Sequence, residues 1–257
     1  YGWVQANRDY VAKASGGRIG YLHIPDMGVD GAREFIKWYY PQLRKPGLII
    51  DVRDNGGGFM SQTMIERLSR KPLAYNYLRG SSITGTYPAS TSIGHLAALS
   101  NGTSASDGDI FSYMFKQAKL GPLIGTRTWG GVIGIHGLGP LIDGGTVFVP
   151  TYAGIVDLHG KYVVEGYGVE PDIEVKESVS DQLAGKDPQL DKAIEVLDQK
   201  IKEHPVVLPP QPPRPDTAPP HMRTTRARQP AHHSLVPPPS ARTPPLRPPH
   251  PLPAHAH

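Results

Sequence analysis

The sequence predicts an α/β fold in which a mostly parallel sheet is flanked by helices and carries an added β-hairpin. Short apolar runs of strand length alternate with amphipathic helical patterns, an order typical of βαβ units. A glycine-rich loop at residues 54–59 follows one apolar run and precedes a helical pattern. These patterns end near His204, so we expect one folded domain at residues 1–204.

The predicted elements follow the chain in a regular order. Strands are expected at short apolar runs, residues 18–24, 48–53, 95–99 and 122–125. Helices are expected where apolar residues recur every three or four positions, at residues 2–14, 31–43, 61–69, 110–118 and 188–204. Residues 70–94 are interpreted as irregular and extended. Two later β-like runs, 145–152 and 161–164, are interpreted as a hairpin with its turn at 157–160.

Composition separates a proline-rich tail, residues 205–257, from the rest of the chain. The tail holds 18 of the 28 prolines and none of the 29 glycines, and its six arginines and one aspartate give it a charge of +5. The first 204 residues carry 21 basic and 22 acidic residues, a net charge of −1. We therefore expect no nucleic-acid-binding surface on the folded part. The tail is predicted to be disordered, with polyproline II character, and dispensable for folding.

Some classes of protein are excluded by what the sequence lacks. It has no cysteine, which rules out disulfides and thiolate chemistry. It has no apolar run of about 18 residues and no charged-then-apolar leader, so neither a membrane span nor a signal peptide is expected. These features favour a cytoplasmic protein that does not contact the membrane.

Ser106 occupies the position where a buried strand is expected to lead into a buried helix. A hydroxyl there lies beside backbone N–H groups that have no acceptor inside the helix. These groups could stabilise the oxyanion that forms when a serine attacks a carbonyl. The same sequence, Ser-x-x-Asp, is also typical of a capping box, in which Ser106 and Asp109 only terminate the helix.

Two further stretches carry possible chemistry. Gly56, Gly57 and Gly58 follow a buried strand, and their backbone could approach a ligand or an extended peptide closely. An ordinary glycine-rich turn is the alternative. Glu165 ends a predicted strand, where its carboxylate could orient a catalytic base, although an ordinary exposed glutamate has the same local sequence.

Three motifs occur in order: Asp-Val-Arg-x-Asn-Gly-Gly-Gly at 51–58, Ala-Ser-Asp-Gly-Asp at 105–109, and Glu-Gly-x-Gly-Val-x-Pro-Asp-Ile at 165–173. Together they resemble the S41 peptidases, the C-terminal-processing or tail-specific proteases, and within them the catalytic core of the tricorn branch. The resemblance covers residues 1–204 and implies a crotonase-like, ClpP-like α/β core. It also implies serine-peptidase chemistry on peptide substrates, with no metal or organic cofactor, in a full-length protein that forms a homo-oligomer.

The resemblance also assigns roles to individual residues. It implies that Ser106 is the nucleophile, that the N–H groups of Asp107 and Gly58 form the oxyanion hole, and that Glu165 is the carboxylate of a Ser-His-Ser-Glu tetrad. Gly56 and Gly57 are the expected substrate-binding edge. Ser104 is the nearest rival nucleophile, but the spacing to the segment at 125–128 favours Ser106.

One departure from the family concerns the general base. Members that use a Ser-Lys pair have their lysine where this chain has Gly131. That substitution points to the tricorn branch, whose histidine comes from a preceding helical domain, so we expect this chain to be a C-terminal fragment without its base. The resemblance matches none of His23, His95, His136 and His159 to that histidine. The alternative function is a catalytically inactive peptide-binding or scaffold fragment that uses its polyproline tail.

Overall fold

The computed structural model describes residues 2–78, 80–81, 83–151 and 154–213. One compact unit runs from Tyr1 to Gln211, and it extends past the domain boundary expected at His204. The second unit, Pro212–His257, lies almost wholly outside the described residues, and so does most of the predicted disordered tail.

The centre of the first unit is a five-stranded parallel sheet with the strand order β1-β2-β5-β6-β9. Its strands are β1 (Ile19–His23), β2 (Gly47–Asp51), β5 (His95–Ser100), β6 (Leu123–Gly125) and β9 (Ile173–Glu174). Two antiparallel hairpins are separate from this sheet, and they pair β3 (Ala74–Tyr77) with β4 (Thr84–Tyr87) and β7 (Ile135–Pro140) with β8 (Thr146–Pro150). The predicted α/β class and its parallel sheet are confirmed.

Helices cover both faces of the sheet. They are α1 (Gly2–Ala14), α2 (Val29–Tyr39), α3 (Ser61–Leu68), α4 (Asp107–Gln117), α5 (Val179–Leu183) and α6 (Pro188–Glu203), with a 3₁₀ turn at Tyr40–Gln42. Alternate strand residues face opposite sides, so Tyr21 and Ile49 pack with α1 and α6, whereas Leu22 and Ile50 pack with α2, α3 and α4. A parallel sheet buried on both faces explains why its strands are continuously apolar.

The structure corrects the predicted connections around both hairpins. Residues 70–94 are not wholly irregular, because they contain β3 and β4. The partner of β8 is β7 and not the run at 161–164. The turn that joins them contains Gly144 at a φ of +84°, and Leu141 N–H donates to Gly145 O at 2.7 Å. Asp157 forms a separate tight turn by donating its N–H to Lys161 O at 2.8 Å.

The β7–β8 hairpin is largely exposed, and its apolar side chains at Ile135, Ile142 and Phe148 face solvent. No helix in the described part of the chain is long and apolar enough to cross a membrane.

The first residues of the tail contact the folded core. Tyr77 Oη donates to Pro209 O at 2.9 Å, and just before the tail His95 Nε2 lies 2.7 Å from His204 O. Val206 and Leu208 are half-buried and line a cavity between the β3–β4 hairpin region and the end of α4.

Candidate active site

Ser106 lies in a tight turn between β5 and α4, at the carboxyl end of the sheet. Its φ of 53° is in the left-handed region that serine seldom adopts. The Ser106 side chain makes no capping hydrogen bond, and Asp109 Oδ1 accepts from Gly130 N instead, at 2.9 Å. The capping-box interpretation is therefore wrong, and the half-buried Ser106 hydroxyl is left without a structural hydrogen bond in the described part of the protein.

The glycine loop lies directly against this hydroxyl. A Cβ added to Gly57 would be 2.6 Å from Ser106 Cβ and 3.0 Å from Ser106 Oγ. A Cβ added to Gly58 would be 2.2 Å from Met27 O. Both positions therefore require glycine, at φ values of 104° and 146°. Gly56 has open space around it, as a contact edge would need.

Two backbone N–H groups at this site have no hydrogen-bond acceptor among the described residues. Asp107 N–H is the first of α4 and has no intrahelical acceptor. Gly58 forms a parallel bridge with Met27, in which Met27 N donates to Gly57 O and Phe59 N to Met27 O, each at 2.8 Å. That pattern turns the Gly58 N–H away from Met27. The Gly57 N–H is already occupied, because it donates to Asn55 Oδ1 at 2.9 Å.

Asn55 holds the glycine loop and the Ser106 turn together, a role that the sequence analysis missed. It is fully buried, and its Nδ2 donates to Ile24 O at 2.9 Å. The backbone carbonyl of Asn55 accepts from Ala105 N at 2.8 Å. The sequence feature that could have indicated this role is an asparagine directly before three glycines, because an asparagine side chain in a turn commonly bonds to the backbone two residues ahead.

Ser104, the rival nucleophile, is fully buried and engaged in structural hydrogen bonds. Its Oγ donates to Val52 O at 2.8 Å and accepts from Asn101 N at 3.1 Å. These bonds hold the loop before α4 against the end of β2. Ser104 therefore has no hydroxyl available to a substrate.

Glu165 is held by the segment that follows Trp129. Its Oε2 accepts from Val132 N at 2.6 Å and from Ile133 N at 2.9 Å. The next residue, Gly166, donates its N–H to Gly130 O at 2.7 Å. The carboxylate is thus fixed in place through one oxygen, and Oε1 has no hydrogen-bond partner in the described ranges.

Gly131, which stands at the lysine position of the Ser-Lys members, is covered by an indole ring. A Cβ added there would be 2.3 Å from Trp129 Cζ3 and 2.7 Å from Trp129 Cε3. The backbone of Trp129 is held in place, because its backbone N–H donates to Ser104 O at 2.9 Å. A lysine at 131 would therefore require the ring to move.

None of the four candidate histidines hydrogen-bonds to Ser106 or Glu165 in the described residues. His23 is buried edge-on against Trp3, with ring centroids 4.7 Å apart, and burial lowers its pKa despite the opposing charge of Asp51. His95 contacts the end of α6, and His136 and His159 are exposed in β7 and in the turn at 157–160. The described residues also contain no group of three acidic or histidine side chains that could hold a metal ion.

The fold and the three motifs define a class of protein. The model of peptidase family S41 matches residues 18–175, and this chain belongs to that family. It is 46% identical over 210 residues to the tricorn protease of Thermoplasma acidophilum, covering 82% of this chain and 19% of that protein. It is 41% identical over 210 residues to tricorn protease homolog 1 of Streptomyces coelicolor, covering 82% of this chain and 20% of that one.

A solved structure of the tricorn protease is similar in fold as well as in sequence. It superposes with a TM-score of 0.74 at 46% identity, over 78% of this chain and 19% of that chain. The chain therefore spans about a fifth of the length of the relatives it matches. The expected family and branch are confirmed, and so is the expected fold.

Proposed function

We propose that this chain is the catalytic core of a serine-type peptidase that hydrolyses peptide bonds. The observation that carries the proposal is the Ser106 hydroxyl, which has no structural hydrogen bond within the described residues and is held against a glycine loop in a left-handed turn. Nucleophilic serines need a hydroxyl that is not engaged in structural hydrogen bonds, and they need nearby oxyanion donors. Membership of family S41 supports the same reaction.

In the proposed reaction, Ser106 Oγ attacks the carbonyl carbon of the scissile peptide bond and gives its proton to a base. The tetrahedral oxyanion then accepts hydrogen bonds from Asp107 N–H and Gly58 N–H. Collapse of the intermediate breaks the C–N bond, the leaving amine takes the proton, and water later releases the acyl group. Gly56 receives the substrate backbone, and Gly57, whose N–H and carbonyl are already bonded, leaves the space beside Ser106 open because it has no side chain.

Glu165 orients the base in this proposal, through the carboxylate oxygen that its backbone donors leave open. The base is a histidine from outside the described residues, since the four candidates in the core are engaged elsewhere or lie exposed on other elements. We further propose that the full-length enzyme is cytoplasmic and homo-oligomeric.

Peptide release and reaction with a fluorophosphonate probe test the proposal. We expect the 257-residue chain alone to cleave peptides poorly, because a serine hydroxyl is a weak nucleophile without a base. Activity should appear when the segment that carries the histidine is added, and Ser106→Ala should abolish it. Ser104→Ala is the control, and it should leave Ser106 able to react in molecules that remain folded.

Two outcomes would contradict the proposal. Robust cleavage by the chain alone would place a base within its 257 residues, and alanine variants of its 11 histidines would identify it. A folded, completed enzyme whose Ser106 never reacts with the probe would instead favour a peptide-binding scaffold.

A further inference from the structure

Asp109 is a buried carboxylate that the proposed reaction does not use. It is the third residue of α4 and is fully buried, and its Oδ1 accepts from Gly130 N at 2.9 Å. Oδ2 is also buried and has no hydrogen-bond partner within the described part of the chain. Burying a carboxylate in this way is costly. Its position therefore needs an explanation beyond helix capping.

Gly130 joins Asp109 to the segment that contains Glu165. Its N–H donates to Asp109, and its carbonyl accepts from Gly166 N at 2.7 Å. The Gly130 backbone has a φ of 91°, and an added Cβ would lie 2.5 Å from Gly168 N. The N–H of Gly130 is bonded to α4, its carbonyl is bonded to Gly166, and its Cα has no free space. Gly130 therefore holds the 165–168 backbone at a fixed distance from α4.

The same segment then fixes the Glu165 carboxylate itself. Two and three residues after Gly130, the N–H groups of Val132 and Ile133 both donate to Glu165 Oε2. Any shift of residues 130–133 relative to α4 would therefore move the carboxylate. Ser106 directly precedes α4 as its N-cap residue, so a shift of that helix would also displace the Ser106 hydroxyl.

We propose that Asp109 is a positioning residue that sets the separation between Ser106 and Glu165. Asp109 anchors residues 130–133 to the helix that carries the nucleophile, and those residues anchor the carboxylate that orients the base. The inference rests on the proposed function, because it gives Glu165 that role. The positioning role depends on the hydrogen-bond acceptor at Asp109 Oδ1 and not on the negative charge of the carboxylate.

Amide hydrogen exchange in the 257-residue chain tests the structural step without any catalysis. Asp109→Ala should reduce the protection of the Gly130, Val132 and Ile133 amides about tenfold, the order of one lost hydrogen bond. Asp109→Asn retains an acceptor oxygen and should keep protection near that of the wild type. Asp172→Ala is the matched control, since Asp172 Oδ2 accepts from a backbone N–H elsewhere, that of Leu123 at 2.8 Å.

The rate at which a fluorophosphonate modifies Ser106 in the completed enzyme tests the functional step. Rates are divided by the fraction of molecules that are folded, so a loss of stability alone does not change them. Asp109→Ala and Glu165→Gln should each slow the reaction, and the double variant should be no slower than the slower single one, because both act through the same carboxylate. Asp109→Asn should react at nearly the wild-type rate.

The outcomes separate the two proposals. Unchanged amide protection in Asp109→Ala, multiplicative losses in the double variant, or an Asp109→Asn variant as slow as Asp109→Ala would each overturn the positioning role. A wild-type enzyme that never reacts would instead overturn the proposed function, while hydrogen exchange would still show whether Asp109 holds residues 130–133.

Discussion

The carboxylate of Asp107 holds the first residue of α3, Ser61, at both its N–H and its hydroxyl. Oδ2 accepts from Ser61 N at 2.9 Å, and Oδ1 accepts from Ser61 Oγ. Burial raises the pKa of Asp107, against the opposing effect of these hydrogen bonds. One residue thus offers its N–H to the oxyanion site while its side chain ties down the helix that follows the glycine loop. The two proposed oxyanion donors are therefore fixed relative to each other.

The left-handed backbone at Ser106 leads to a prediction about stability. A non-glycine residue in such a conformation costs about 1–3 kcal/mol, and glycine avoids most of that cost. We therefore expect Ser106→Gly to unfold at a higher denaturant concentration than Ser106→Ala, by about 1 kcal/mol in the free energy of unfolding. Urea unfolding of the two variants checks this. Equal midpoints would mean that the turn relaxes in solution.

Glu165→Gln should affect turnover far more than folding. Glutamine can still accept from Val132 N and Ile133 N, so the unfolding midpoint should change little. Loss of the negative charge that orients the base should lower kcat by about 10²-fold or more in the completed enzyme. Glu170→Gln is the matched control, because that side chain is exposed. Full activity in the first variant and loss in the control would reassign the role to Glu170.

A lysine introduced at Gly131 should not act as a base on its own. Its Cβ would meet the Trp129 ring at 2.3 Å, so the side chain must compete with the indole for the same space. We expect the fluorophosphonate to react with the Gly131→Lys variant of the 257-residue chain no faster than with the wild type. Combined with Trp129→Ala, the same lysine should speed the reaction, measured by the rate of labelling at Ser106. A single variant as fast as the double one would show that Trp129 presents no obstacle.

The buried carboxylate of Asp109 should make stability depend on pH. Burial raises its pKa, against the opposing effect of the hydrogen bond from Gly130 N–H. The folded state therefore binds a proton more tightly than the unfolded state, and the wild type loses stability as pH rises from about 4 through the folded pKa.

Asp109→Asn carries no charge and should lack this loss. Its melting temperature relative to the wild type should therefore increase between pH 4 and pH 7, as measured by calorimetry in matched buffers. A difference that shrinks with rising pH would show that the carboxylate stabilises the fold in its charged form.

Two truncations locate where the tail ceases to matter. Ending the chain after Gln211 should leave the melting temperature unchanged, because the compact core unit is retained. Ending it after His204 also removes Val206, Leu208 and the Tyr77–Pro209 hydrogen bond. We expect that loss to lower the melting temperature by about 2–4 °C. Equal melting temperatures would place the limit of the stable core at His204.

The sequence predicts the sheet well because its strands are short, continuously apolar and separated by helical patterns. It predicts the hairpins poorly for a related reason. Exposed strands such as β7 have no burial constraint on their period, and two glycine-containing turns, at 141–145 and 157–160, compete as the hairpin bend. Which turn forms the hairpin depends on which strands pair by hydrogen bonding, and the local sequence of the turns does not show that pairing.

The sequence could indicate those candidate site residues that lie within a single motif. It could not indicate the residues whose role depends on contacts between several segments. The roles expected of Ser106 and Gly58 follow from the resemblance to family motifs, each of which is contiguous in the sequence. The roles of Asn55, Trp129 and Asp109 depend on contacts between loops that are far apart in the chain, such as the bond from Gly130 N to Asp109 Oδ1. No spacing within a single motif reports such a contact.

The backbone at Ser106 also bears on what selection would do at this position. A chain that had abandoned catalysis for scaffolding would gain stability by drifting to glycine there, since glycine makes the same turn without the steric cost. Serine is the less stable choice, and chemistry at its hydroxyl is the benefit that would retain it. Among natural variants of this chain, glycine at position 106 would thus be the expected mark of a lineage that no longer cleaves peptides.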